Sequence, residues 1–415
     1  MSDTKQFDIK QIEGGVTAAK GYKAAGVAAH IKYDNRKDLA MIFSEAPATV
    51  AGMFTSNVVK AAPVKFDMNI VENSPYVRAV VVNSGIANAA TGEAGMKVCE
   101  KTAKAAAAAL SVPENSVLIG STGVIGEQIA IDRIEAGIIE LAKNLSDTRQ
   151  AAADAESAIM TTDTVPKEVA VQVEIGGKTV TVAGMSKGSG MIHPNMCTML
   201  AYICTDCAIT KEMLDSIAKC DIPDTFNMIT VDGDTSTNDT YLLMANGLAE
   251  NPVIDAPGEA YDAFFAAVHF VNETLAKKMA KDGEGANALF EVKVVNADTK
   301  ENAKLLARSV AASSLCKAAI FGHDSNFGRF LCALGYSGAS FDPDRVSIDY
   351  VSRAGSIRVF DSGLKAAYSE DEATKILSED EITVVIDMDE GNKNATAWGC
   401  DLTFDYVKIN ADYRS

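Results

Sequence analysis

The sequence predicts a mixed α/β or α+β chain, and three observations lead there. Strand-like and helix-like patterns are interleaved along all 415 residues. Apolar residues make up 47% of the chain, enough to bury a sizeable core. A cleanly alternating hairpin also follows closely on Ala-rich segments of helical period.

Arg78 to Val82 (RAVVV) is an apolar run of strand length, closed by Asn83-Ser84-Gly85. Gly92 to Leu110 is Ala-rich and helical. Ser116 to Ile119 is a short strand running into Gly120-Ser121-Thr122-Gly123. Ile131 to Leu145 carries Ile134, Ile138, Ile139 and Leu141 on one side at helical spacing, and Arg149 to Met160 is a second Ala-rich helix. From Glu168 to Ile175 the residues Val169, Val171, Val173 and Ile175 alternate, Gly176-Gly177 turns, and Thr179 to Ala183 returns. Met199 to Cys204 reads as an apolar strand, Lys211 to Lys219 as a helix, and Glu259 to Met279 as a long amphipathic helix ending before Gly283 and Gly285. Ala303 to Cys316 reads as one helix. Val346 to Val351, Ile382 to Asp387 and Ala395 to Ile409 read as strands of a later unit. The length suggests two or three domains. With no repeat or Pro-rich linker, the Gly-rich turn near residue 285 is the best boundary, separating 1–285 from 286–415.

Composition narrows the function. The 38 basic against 56 acidic residues leave a net charge of −18, which disfavours sequence-independent nucleic-acid binding and anionic membranes. Met1 to Lys10 is polar, without the apolar core of a secretory signal, and no stretch approaches the roughly 20 apolar residues of a membrane helix. Eight cysteines spread along so long a chain do not form a small disulfide framework. A cytoplasmic enzyme with reduced thiols is the expectation.

Familiar catalytic signatures are missing. The four histidines make no HExxH, and Cys204-Thr205-Asp206-Cys207 is a lone CxxC without the further ligands zinc requires. Asp232 to Asp239 lacks the glycine and glutamate of a calcium loop. Lys187-Gly188-Ser189-Gly190 lacks phosphate-loop order, and no GxSxG elbow occurs. His193, beside Pro194, has no local partner that marks it as a base. Hydroxyl chemistry without histidine has another solution: a threonine whose own α-amine, titrating near about 7.7–8.0, serves as the base. Such an amine arises by cleavage immediately before the threonine. In KGSGMIHPNMCTML (187–200) a Gly-rich turn delivers the chain to Cys197, Thr198 and then an apolar strand. That pattern also fits an ordinary threonine entering a strand, which is the commoner case.

The same segment resembles the family of bifunctional ornithine acetyltransferases (glutamate N-acetyltransferases) of arginine biosynthesis, which carries KGSGMIHPNMATML there. Further similar blocks run in order through the chain: Lys23 to His30, Phe54 to Val64, Asn83 to Gly92, Ser121 to Gly126, Met160 to Thr164 (MTTDT), Val231 to Thr240 (VDGDTSTNDT), Asp282 to Ala286 (DGEGA), Gly322 to Arg329 and Asp405 to Ser415. The resemblance implies an αββα-type layered sandwich with a smaller C-terminal α/β unit. It implies self-cleavage between Cys197 and Thr198 into chains 1–197 and 198–415, with Thr198 as nucleophile. Thr122 and Gly123 are the implied oxyanion hole; Thr161, Lys187, Thr198, Glu284, Asn410 and Ser415 are the implied substrate contacts. The implied reaction moves acetyl from N-acetylornithine to glutamate without metal or cofactor, in an α2β2 assembly, and leaves open acetyl-CoA as a second donor. Lys187 suits an α-carboxylate and Glu284 an amine.

The chain departs from the family pattern at Cys197 (for Ala), at Ile86 and Ala90 (for Asn and Cys) and at Phe327 (for Trp). Two rival readings stand beside the transferase: a self-cleaving aminopeptidase or amidase using Thr198 for hydrolysis, and an uncut metabolite-binding protein.

Overall fold

The computed structural model describes residues 7–193 and 199–412. The chain folds into two compact units, one formed by residues 1–188, 195–226 and 235–275, the other by 189–194, 227–234 and 276–415.

The first unit holds β1 (Lys10–Ile12), β2 (Tyr22–Val27), β3 (Leu39–Phe54), α1 (Ala62–Asn73), β4 (Val77–Asn83), α2 (Gly92–Leu110), β5 (Val117–Ser121), α3 (Ile131–Asn144), α4 (Arg149–Ile159), β6 (Glu168–Ile175), β7 (Lys178–Lys187), β8 (Leu200–Thr205), α5 (Lys211–Asp221), β9 (Thr240–Ala245) and most of α6 (Glu259–Lys281). The strands run in the order β1-β6-β7-β8-β9-β3-β4-β5, with β2 also on β3. The 16-residue β3 serves two sheets: Leu39 to Ser44 pair with β2 and, through Phe43, with β4, whereas Thr49 to Phe54 pair with β9.

Period-two alternation then sorts side chains into layers. Val80, Val82 and Leu118 from one sheet share a core with Met185, Tyr202, Cys204, Leu242 and Met244 from the other. The sheets approach closely where Gly120 has no side chain; a Cβ there would stand 2.1 Å from the Tyr202 hydroxyl. The opposite faces of β4 and β5, through Val81 and Ile119, pack with Cys99 and Ala103 of α2 and Ile134 and Ile138 of α3. On the far side of the other sheet, Gly184 of β7 leaves room for Val271 and Leu275 of α6. The layers are therefore α, β, β and α, as the resemblance implies.

The second unit holds β10 (Leu289–Ala297), α7 (Lys300–Ala312), α8 (Ser314–Phe321), α9 (Phe327–Gly335), β11 (Ser347–Ser352), β12 (Gly355–Asp361), β13 (Leu364–Lys365), α10 (Glu370–Leu377), β14 (Glu381–Asp387), β15 (Lys393–Cys400) and α11 (Phe404–Ala411). Its six-stranded sheet runs β13-β12-β11-β14-β10-β15. Phe290, Phe330 and Tyr350 meet in its core, with successive ring centroids 6.1 and 5.6 Å apart. Two sequence expectations need correction here. The helix expected from Ala303 to Cys316 divides at Ser313, whose hydroxyl accepts from Cys316 N and so starts α8. The strand expected to Ile409 ends at Cys400. Thr403 then caps α11 by accepting from Tyr406 N, and Phe404 and Val407 are exposed rather than alternating into a core.

A polar cluster centred on the buried Asp221 joins α5 to α6 in the first unit. Asp221 Oδ1 lies 2.5 Å from His269 Nδ1, and Asp221 Oδ2 accepts from Asn272 Nδ2 at 2.6 Å. Hydrogen bonding to Asp221, then to Glu273, raises the imidazole pKa to about 10. A raised folded-state pKa stabilises the fold fully below the unfolded value near about 6.5 and loses that contribution as pH climbs through about 10. Because the imidazole is 39% exposed, solvent screening trims the effect. His269→Gln is expected to lower the melting temperature more at pH 6 than at pH 10. An equal loss at both, by thermal melting, would exclude this linkage. No helix among the described residues is long and apolar enough to cross a membrane.

Candidate active site

Pairing places several strand ends together. Lys187, the last residue of β7, pairs with Leu200, the first of β8, and Leu200 pairs with Thr240, the first of β9. Met199, which follows Thr198 in sequence, accepts at its carbonyl from Thr240 N at 2.8 Å. Two residues before Thr240, the Asn238 amide donates to Ser121 O at 2.8 Å and Ala87 O at 2.6 Å. Asn238 therefore ties the start of β9 to the end of β5 and to the loop after β4.

The loop after β5 begins at Thr122, whose N–H donates to Asn83 O at 3.0 Å, while Val124 N donates to Gly85 O at 3.0 Å. Between them Gly123 has φ +126°, a region L-residues rarely adopt. A Cβ at Gly123 would lie 2.2 Å from Gly85 C, so this turn demands glycine twice over. Of the departures noted above, Ile86 is buried and bridges to Val124 beside this turn, and Ala90 is exposed with φ +56°.

A charged cluster lies at the end of β7. Lys187 is 7% exposed, not a solvated surface lysine, and its Nζ donates to Thr161 Oγ1 at 2.8 Å. Asp163 Oδ1 accepts from Lys167 Nζ and from Gly188 N, each at 2.7 Å, and its Oδ2 accepts from Thr161 N at 3.0 Å. Burial pushes the Asp163 carboxyl up, but Lys187 and then Lys167 outweigh burial and hold it below the usual carboxylate range. Glu156 of α4 behaves oppositely: burial drives its pKa well up despite the Lys167 N–H at 2.8 Å. Arg36 donates to Thr161 O at 3.2 Å and also to Met160 O.

Within the second unit, Glu284 is 6% exposed and accepts from Asn410 Nδ2 of α11 at 2.7 Å. Its backbone N–H donates to Ser189 O at 2.8 Å, and the carboxylate occupies the space a Gly190 side chain would need. Gly285, φ +71°, lies against the start of α11, where Thr403 Oγ1 donates to its carbonyl at 2.7 Å. Asp232 accepts from Met191 N at 2.6 Å and Ile192 N at 2.9 Å, a turn-holding role unlike calcium binding. His193 sits 3.0 Å from Thr230 Oγ1 and 3.2 Å from Arg308. Burial and then Arg308 lower its pKa to about 4, so it is neutral at pH 7. Phe327, where the family pattern has Trp, stacks on Phe360 at 5.4 Å.

Cys197, Thr198 and Ser415 lie outside the described residues. Of the other expected site residues, Thr161 meets Lys187, Glu284 meets Asn410, and Thr122 and Gly123 form one turn. Asp163 and Asn238 escaped the sequence reading. Both stand inside the blocks MTTDT and VDGDTSTNDT, but neither residue by itself advertises the contacts it makes.

The first unit thus has αββα layers, with a charged cluster at the end of β7 and a glycine-dependent turn at the end of β5. A model of the ArgJ family matches residues 23–415. The arginine biosynthesis bifunctional protein ArgJ of Thermotoga neapolitana is 49% identical over 95% of this chain and 99% of its own length. That of Bacillus subtilis is 43% identical over the full length of both. A solved chain of ornithine acetyltransferase complexed with ornithine, from Mycobacterium tuberculosis, is 40% identical, covering 46% of this chain and 100% of its own, with a TM-score of 0.42. The chain belongs to the ArgJ family.

Proposed function

We propose that this chain is a glutamate N-acetyltransferase of arginine biosynthesis that takes acetyl from N2-acetylornithine through an ester on Thr198. The observation that carries this reading is the buried Lys187–Thr161 pair at the end of β7, beside the strand that Thr198 precedes. An ammonium with a hydroxyl partner, shielded from water, suits the α-carboxylate shared by N2-acetylornithine and glutamate.

The Thr198 hydroxyl first attacks the Cys197 carbonyl; the C–N bond to Thr198 breaks, which frees its α-amine and leaves an ester, and water then cleaves the ester C–O bond to give the Cys197 carboxylate and restore the Thr198 hydroxyl. That amine then takes the hydroxyl proton as Oγ attacks the acetyl carbonyl. The Thr122 hydroxyl and Gly123 N–H stabilise the oxyanion; one such donor contributes about 3 kcal/mol. The C–N bond breaks, the amine's proton goes to the leaving nitrogen, and ornithine departs. Glutamate's amine attacks the acetyl ester, the C–O bond breaks, and Thr198 Oγ regains a proton as N-acetylglutamate leaves. Glu284, with Asn410, suits the side-chain amine of ornithine. Ser415 is a further substrate contact in this reading. That the relatives are bifunctional proteins of arginine biosynthesis supports acetyl-CoA as a second donor. The mature form is an α2β2 cytoplasmic enzyme.

Incubation with N2-acetylornithine and glutamate is expected to yield N-acetylglutamate and ornithine in equal amounts. Acetate release without transfer to glutamate would favour the hydrolase instead.

A further inference from the structure

The cluster around Lys187 contains more charge than carboxylate recognition requires. Lys167 and Lys187 are both buried; among the carboxyls around them Glu156 is driven towards its neutral form by burial, and Glu168 pairs with Arg149. Asp163 stays ionised, and its side chain is fully buried. Its two oxygens take up Lys167 Nζ, Gly188 N and Thr161 N, and Oδ2 lies 3.8 Å from Lys187 Nζ. One carboxylate thereby fixes the backbone at both ends of the Thr161–Lys187 pair: at Thr161 itself, and at Gly188, the residue after Lys187. A buried ammonium without a nearby anion is costly, and one whose backbone is free to shift loses its aim.

We infer that Asp163 is a positioning residue for substrate: it holds Thr161 and Lys187 in register to receive a carboxylate. The inference rests on the reading that Lys187 receives the α-carboxylate. Asp163 touches no substrate in this scheme. It acts through its two neighbours, and that separates it from a residue that merely supports the fold.

A double-mutant cycle read by calorimetric binding of N2-acetylornithine tests it. Lys187→Ala is expected to weaken binding about 100-fold, and Asp163→Asn about 10-fold or more, as loss of charge-assisted hydrogen bonds implies. In the Lys187→Ala background, Asp163→Asn is expected to change binding by less than about threefold, because the ammonium that meets the carboxylate is gone and only Thr161 is left for Asp163 to position. Losses that simply add in the double variant would overturn the inference, as would wild-type affinity in Asp163→Asn. Should Asp163→Asn melt unfolded, Asp163→Glu, which keeps the charge but moves it about one methylene further out, is measured in the same cycle. Wild-type protein that binds N2-acetylornithine but transfers no acetyl overturns the proposed reaction and leaves the Asp163 inference standing. Wild-type protein that binds none overturns both.

Discussion

Thr198→Ala is expected to remain a single 43.8 kDa species and to transfer no acetyl group. The reason is chemical. In the proposed mechanism self-cleavage and acetyl transfer both begin with the same oxygen, and the α-amine that acts as base exists only after the first event. Removing Oγ therefore stops the second reaction twice: once by removing the nucleophile, once by leaving the amine in a peptide bond. Thr198→Ser keeps an attacking oxygen and is expected to cleave and turn over. Intact-mass measurement with an acetyl-transfer assay checks both variants. An Ala variant that appears as two chains, or that makes N-acetylglutamate, would remove Thr198 from the mechanism. A wild-type protein that stays uncut would point to the metabolite-binding alternative.

Gly123→Ala is the second large effect expected. The residue sits at φ +126°, where a Cβ carries strain of about 1–3 kcal/mol. The added Cβ would also meet the Gly85 backbone, with its carbon at 2.2 Å and its oxygen at 2.3 Å. Backbone atoms cannot rotate away as a flexible side chain can, so the turn must move. The hydrogen bonds from Thr122 N to Asn83 O and from Val124 N to Gly85 O shift with it. If the turn supplies oxyanion donors, displacing them lowers turnover by about 10²–10³-fold. Binding of N2-acetylornithine should change by less than about threefold, since the Lys187 cluster belongs to other elements. Steady-state kinetics beside calorimetric binding separates the two. Turnover within about threefold of wild type would place the oxyanion elsewhere.

Much of the architecture is legible in the sequence. The helix from Gly92 to Leu110 and the strand from Glu168 to Ile175 have the bounds their patterns suggest, the first because it is an Ala-rich run of strong helix formers and the second because it alternates with a period of two. β9 shows the limit of that method. All six of its residues, Thr240 to Ala245, are buried, so no alternation marks it. The long β3 stays hidden for a related reason: it changes pairing partners midway, and its two halves follow different sheets.

At the site, the sequence by itself determined the residue types. A scarcity of histidines, a Gly-rich turn before Cys197-Thr198, and blocks similar to the ornithine acetyltransferase family named Thr198, Thr122, Gly123, Thr161, Lys187, Glu284, Asn410 and Ser415. Tertiary structure decided what the described ones among them do for one another. Lys187 and Thr161 are 26 residues apart in sequence and 2.8 Å apart in space; Glu284 and Asn410 are separated by 126 residues and meet at 2.7 Å. Burial is the deciding quantity. It turned Lys187 and Glu284 from ordinary charges into shielded ones, and it made His193 a neutral hydrogen-bonding side chain. It also gave Asp163 its importance, because a carboxylate kept ionised in a dry interior must be held by every donor around it. No local pattern encodes that, since the donors come from the loop after α4 and from the residue after β7, segments brought together only when β6 and β7 pair.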